Sequence, residues 1–260
     1  MSAPTEQDML PQQQLDASGY RMGLGKSVAG QSGQNSLPLT PSELATLDEK
    51  HFENHRILAH RPRSEEADAF RILRTQILQN MHKAGLRTLA ITSPDYGDGK
   101  TTIAVNLAIS IAMDLKQTVL LVDLDLRKPN LHEYLGLTPR AGLSDYLIND
   151  VPIKECLIRP PFHRLNTLPG GTRVEHSSEL LGSPKMTALA QELKNRYPDR
   201  LVIYDMPPVL RQDDVIAFAP NIDGILLVTH NGFTQKEALK RSLDVLGDAT
   251  IVGTVLNNTQ

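Results

Sequence analysis

The stretch Thr88–Thr102, TLAITSPDYGDGKTT, decides the fold. Its first five residues are apolar or β-branched and read as a strand, Thr88–Thr92. Ser93–Thr102 follows as a glycine-bearing turn that opens an amphipathic helix, the context that gives a phosphate loop its meaning. Gly97 and Gly99 permit backbone angles closed to other residues, so several N–H groups can converge on phosphate oxygens. The helix beginning near Lys100 adds its positive end. Lys100 is expected to reach the β- and γ-phosphates of ATP, and the Thr101 hydroxyl to ligate Mg²⁺. The expected ATP contacts are therefore Gly97, Asp98, Gly99, Lys100, Thr101 and Thr102. One departure stands out: the usual G-x-x-x-x-G-K run opens on glycine, and Pro94 occupies that place. A second Gly-Lys-Ser, Gly25–Ser27, has neither a strand before it nor a patterned helix after it.

Outward from the loop, short apolar runs (LAIT, TVLLVDLD, LVIYD, GILLVTH, IVGTVLN) alternate with longer amphipathic stretches. Runs this short, apolar on both faces, read as strands buried in a parallel sheet. The helices expected between them are Thr101–Leu115, Pro184–Tyr197 and Lys236–Leu246. Alternation of this kind implies a three-layer α/β domain of the P-loop NTPase type with a mainly parallel sheet, spanning residues 86–260. Two of the runs end in acid. VLLVDLDLR (119–127) carries Asp123 and Asp125, and LVIYD closes on Asp205. Buried like charges repel unless a cation sits among them, and Mg²⁺ is that cation in a nucleotide site. A lone Asp reads as a helix cap or a solvated strand end; three at strand ends beside a phosphate loop read as a site.

Composition narrows the class. The chain has 260 residues, with 27 Lys+Arg against 30 Asp+Glu, so its formal charge is −3. That balance argues against a protein that holds nucleic acid by charge, and no nucleic-acid partner is expected. No apolar run approaches the ~18 residues of a membrane helix, and MSAPTEQDML has no secretory pattern, so the expected location is cytoplasmic. The single cysteine, Cys156, reads as a small apolar side chain in a helix. Residues 1–39 read as a disordered tail, since the first 35 contain no Ile, Phe or Trp and one Val. Residues 40–85 read as a helical lead-in. Thr40, Pro41 and Glu43 mark one short helix, 51–63 a connector with solvated His51, His55 and His60, and Ser64–Lys83 a longer helix.

The phosphate loop, the Asp-x-Asp strand continuing Leu-Arg-Lys-Pro, and Asp-Met-Pro-Pro-Val-Leu together resemble the bacterial tyrosine kinases of capsule and exopolysaccharide synthesis. GLSDYL (142–147), SELLGS (178–183) and IVGTVLN (251–257) are similar to that family's intervening segments. The resemblance implies ATP with Mg²⁺ as phosphoryl donor and tyrosine hydroxyls as acceptors. It carries the family's Walker A to Gly97–Thr102, Walker A′ to Asp123 and Asp125, and Walker B to Asp205. Since a phenol of pKa ~10 is mostly protonated, a carboxylate near the γ-phosphate can take its proton. Asp123 is assigned that role, and Asp125 and Asp205 hold Mg²⁺ with Thr101; the roles are exchangeable within the set. Asn257 is a candidate adenine contact or a strand-end turn residue, and Asp214 a candidate γ-phosphate sensor or a surface acid.

The family's Glu-x-x-Arg-x-x-Arg, which docks subunits in a ring, is matched by Asp68, Arg71 and Arg74, with Asp in place of Glu. The ring is therefore an expectation, beside an ordinary Asp68–Arg71 pair on an exposed helix. The family's tyrosine-rich tail has no counterpart beyond Tyr204, which leaves Tyr20 as the candidate phosphoacceptor. The implied partner is a separate membrane activator or polysaccharide co-polymerase that recruits the kinase to the inner face of the plasma membrane. The alternative function is a non-kinase ATP-binding switch or scaffold of the partition-ATPase superfamily. Those switches carry a second lysine five residues before the main one, where this chain has Asp95.

Overall fold

Six strands form one sheet: β1 (Thr88–Thr92), β2 (Thr118–Asp123), β3 (Leu165–Leu168), β4 (Arg200–Asp205), β5 (Gly224–His230) and β6 (Ile251–Asn257). The coordinates are a computed structural model and describe residues 48–114 and 117–258. The expected tail with Tyr20, and the helix expected at Thr40, Pro41 and Glu43, lie outside the described residues. The sheet order is β3-β2-β4-β1-β5-β6, and every pair is parallel. Between β1 and β2 the chain steps over β4, which opens a crevice at the carboxyl ends of the central strands.

The helices are α1 (Glu49–Asn54), α2 (Glu65–Ala84), α3 (Lys100–Ala112), α4 (Leu131–Tyr134), α5 (Leu143–Asn149), α6 (Ile153–Cys156), α7 (Ser177–Leu181), α8 (Pro184–Asn195), α9 (Asp214–Phe218) and α10 (Lys236–Leu246). Strand periodicity divides the core. Leu89, Ile91, Val119, Leu121 and Ile203 pack with α2 and α3 on one face. Ala90, Leu120, Val122, Val202 and Tyr204 pack with α5, α8 and α9 on the other. That is the expected three-layer arrangement. β3, whose LNTL reads half polar, is the strand the sequence pattern does not announce. β6 departs from expectation in another way. It is one of the two edge strands and is partly solvent-facing along its length, with no strand beyond it among the described residues.

α2 begins where its sequence says it should. Ser64 accepts from the Ala67 N–H, and Gly85 closes the helix in the left-handed region. α3 is apolar on nearly every side, since the sheet lies beneath it and α2 lies over it. The segment read as a connector is part of this core. Phe52, Ile57 and Ala59 are buried, and the histidines are engaged rather than solvated. His51 pairs with the Glu133 carbonyl at 2.7 Å, and the His60 ring lies 3.1 Å from a Glu49 carboxylate oxygen. Cys156 is buried near the end of its short helix, as expected.

The device that folds 56–59 inward is Asn106 on α3. Its amide oxygen accepts from the N–H groups of Leu58 (2.8 Å) and Ala59 (2.9 Å), and its amide nitrogen donates to the Arg56 and Thr102 carbonyls. Asn106→Leu keeps the volume and strands two buried N–H donors. It should cost about 2–4 kcal/mol in chemical denaturation. An unchanged midpoint would show that the segment is held by its apolar side chains alone.

Candidate functional site

The loop between β1 and α3 is built by positive backbone angles and by side chains of its own. Gly97 and Gly99 sit at φ +85° and +93°, so the glycines stand where L side chains are strained. Asp98 turns inward: its carboxylate accepts from the Asp95 N–H at 2.9 Å and from the Thr234 hydroxyl at 2.6 Å. Asn257, at the end of β6, donates to the Asp98 carbonyl at 3.0 Å. Both residues fix the loop's shape. Beneath the loop opens a cavity of ≈ 330 Å³, lined by Gly97, Gly99, Lys100, Thr101, Thr102, Asp125 and Asn257 among others.

The acids converge at the same end of the sheet. Asp123 and Asp205 are direct register partners at the ends of β2 and β4. Both are fully buried, and Asp125 is nearly so. Asp123 accepts from three backbone N–H groups, of Asp125, Asn130 and Leu131, each at 3.1 Å. Lys100 reaches the Asp125 carboxylate at 3.2 Å and the Thr101 hydroxyl at 3.4 Å. What remains open is specific: one Asp125 oxygen and both Asp205 oxygens are buried with no hydrogen-bond partner among the described residues.

Electrostatics follow from burial. Loss of water pushes the Asp123 carboxyl up, and the charge of Asp205 pushes it further, against the Leu131 N–H. Burial also raises Asp205, opposed by the Lys100 charge. Burial alone would lower the Lys100 ammonium, but Asp205, Asp125 and Asp123 outweigh it and hold it above its ordinary value. Burial thus holds the Asp123 and Asp205 carboxyls toward their neutral forms, which a cation bound among them would reverse. Orphaned carboxylate oxygens beside a threonine hydroxyl are hard donors of the kind Mg²⁺ takes, so the residues present fit that ion.

The candidates do not all gather here. Asp214 is buried, so it is not a surface acid. Burial raises its carboxyl, with Arg127 opposing, and it is not among the residues lining the cavity. Asp68 pairs with Arg71, which also donates to the Arg61 carbonyl at 3.1 Å. Arg74 donates to the Ser110 carbonyl of α3 at 2.8 Å. Sequence reasoning missed Arg56, Tyr96, Lys128, Tyr134 and His230, which also line the cavity. Lys128 lay in the quoted Leu-Arg-Lys-Pro; Arg56 and His230 arrive from distant segments and carry no local signal.

Comparison with known proteins agrees with this geometry. A family model described as "AAA domain" matches residues 86–236. The tyrosine-protein kinase YwqD of Bacillus subtilis is 32% identical over 198 residues, covering 75% of this chain and 82% of YwqD. The succinoglycan biosynthesis transport protein ExoP of Rhizobium meliloti is 34% identical over 209 residues. That match takes in 78% of this chain but 26% of ExoP, so the chain spans about a quarter of that relative. Among solved structures, the chimerical protein CapA2B2 superposes with a TM-score of 0.73 at 30% identity, covering 79% of this chain and 90% of that one. The septum site-determining protein MinD of Pyrococcus horikoshii, complexed with Mg-ADP, reaches 0.55 at 27% identity over 65% of this chain and 69% of its own. With its phosphate loop, acid-ended strands and these relatives, the chain belongs to the bacterial tyrosine-kinase family of capsule and exopolysaccharide synthesis.

Proposed function

We propose that this protein is an ATP-dependent protein-tyrosine autokinase that regulates polysaccharide polymerisation or export. The observation that carries the reading is that Lys100, Thr101 and Asp125 line one cavity, one Asp125 oxygen being buried without a hydrogen-bond partner among the described residues, while Asp123 and Asp205 are buried at the strand ends behind that lining. In this reading the N–H groups of Gly97–Thr102 hold the triphosphate. Lys100 leaves Asp125 for the β- and γ-phosphates, and Thr101, Asp125 and Asp205 hold Mg²⁺. The ion, when bound, would supply positive charge that neutralises what develops on the phosphate oxygens during transfer. Asp123, fixed in orientation by its three N–H donors, accepts the tyrosine proton as the phosphoryl group moves to the phenol oxygen. Asn257 and Asp98 act by shaping the loop. A partition-type switch fits less well, because Asp95 stands at the signature lysine's place and pairs with Arg211 of its own chain.

The same proposal includes a ring of subunits contacting through Asp68, Arg71 and Arg74, supported by the exposed carboxylate of Asp68. It also includes Tyr20 as an acceptor and a membrane activator or co-polymerase on a separate chain, which holds the kinase at the inner face of the plasma membrane. Among the described residues, no helix is long and apolar enough to cross a membrane.

The direct test is labelled ATP with purified protein, with and without an activator's cytoplasmic segment. Phosphotyrosine is expected, and Lys100→Met should abolish it while the far-ultraviolet spectrum stays that of the folded chain; transfer surviving in Lys100→Met would refute the assignment. Asp123→Asn should lower kcat by about 10²-fold or more with a smaller change in ATP affinity. A pure affinity loss would move Asp123 to the metal set. Because the Asp123 and Asp205 carboxyls are raised in the folded state, their stabilising effect is present in acid and lost as pH rises through their folded values. Mg²⁺ with ADP should therefore raise the melting midpoint more at pH 7.5 than at pH 5.5. Equal shifts at both would exclude Asp205 as one of the ion's ligands.

A further inference from the structure

Three loops meet at the rim of the site, and five side chains tie them together. The phosphate loop presents Asp95 and Tyr96 at its outer edge. The turn after β4, which follows Asp205, presents Arg211 and Gln212. Arg211 grips the Asp95 carboxylate with two nitrogens, its Nε donating to Oδ1 at 2.7 Å and its Nη2 to Oδ2. Gln212 donates its side-chain N–H to the Tyr96 hydroxyl at 2.7 Å. On the other side, Lys128, in the turn after β2, places its ammonium 4.4 Å from the centre of the Tyr96 ring. Tyr96 thus touches both turns that follow the acid-ended strands.

The backbone joins the same elements, but only as far as Val209, whose N–H donates to the Ser93 carbonyl at 2.9 Å. Beyond that residue the turn meets the phosphate loop through side chains. A loop with Pro94 in it has one N–H fewer to organise itself. The fork from Arg211 and the bond from Gln212 are the outside supports at positions 95 and 96. Neither Arg211 nor Gln212 lines the cavity, while Tyr96 does. Whatever these two residues do for a bound phosphate, they do through the loop.

We propose that Arg211 and Gln212 are positioning residues, which hold the phosphate loop at a fixed setting relative to the Asp205 turn by gripping Asp95 and Tyr96. The inference rests on the reading that this cavity takes ATP with Mg²⁺. It deepens that reading: triphosphate affinity depends on side chains outside the cavity, and the N–H cradle and the metal-binding acid move as a unit. The grip is weak as a stabiliser of the fold, because the Arg211 and Asp95 side chains are 54% and 38% exposed. Its effect belongs to the loop's setting.

Two double-mutant cycles test this by calorimetric titration of the full chain with ATP and Mg²⁺. Tyr96→Phe and Gln212→Leu should each weaken binding roughly fivefold, the worth of one hydrogen bond, and the double variant should be no weaker than the worse single. Asp95→Asn and Arg211→Gln should show the same non-additivity. Melting midpoints taken in parallel should stay near that of the wild type. Unchanged affinities, effects that multiply in the doubles, or losses that track a fall in melting midpoint would each overturn the positioning role. A wild-type chain that binds no ATP would instead remove the nucleotide reading, and this inference with it.

Discussion

The ion pair between Lys100 and Asp125, 3.2 Å across and almost wholly shielded from water, joins the first residue of α3 to the turn after β2. Everything at the carboxyl end of the sheet is arranged around it. Taking a cation and three carboxylates out of water is costly, and breaking such a set by removing one member leaves a charge stranded. The fold accepts that cost at the one edge where three loops can close over the charges. The apolar bodies of β1, β2 and β4 leave the acids no alternative direction, because each strand is buried on both faces up to its last residue.

The same arrangement explains why the site is responsive rather than merely stable. Lys100 lies against Asp125 while two oxygens of Asp205 and one of Asp125 lack hydrogen-bond partners among the described residues. A structure built only for stability would satisfy them. In the proposed reading a divalent ion would satisfy them and free the lysine for phosphate, so the unpartnered oxygens and the lysine's present partner would belong to one exchange.

Much of this was legible in the sequence, for identifiable reasons. β1, β2, β4 and β5 are apolar on both faces, which only a central strand requires, and the helical spacing read over Ser64–Lys83 lies close to α2. β3 was not legible, because four residues with Asn166 and Thr167 among them carry no strand pattern; parallel pairing with β2 makes it a strand. β6 read as central because Ile, Val and Leu dominate it, but exposure at a sheet edge is decided by what lies beside a strand, which composition does not record. Within the site, the phosphate loop and the acids were found by spacing. The work of Asp98, Asn257 and Thr234 was not, since each depends on a contact more than a hundred residues away in the chain. The burial of Ile57 and Ala59 was hidden for a related reason, since Asn106, which holds that segment, lies 47 and 48 residues further along the chain from the N–H groups it accepts.

α3 has the sheet on one side and α2 on the other, with nearly every residue out of water. The family model that recognises this chain begins at residue 86, after α2 has ended. A fragment cut at that boundary would keep the phosphate loop and the acid-ended strands and yet leave a greasy rod uncovered down its outer flank. Such a fragment would clump before it could be assayed, and its silence would say nothing about catalysis. Recognition and foldability therefore have different borders in this protein, and a usable piece of it keeps α1 and α2.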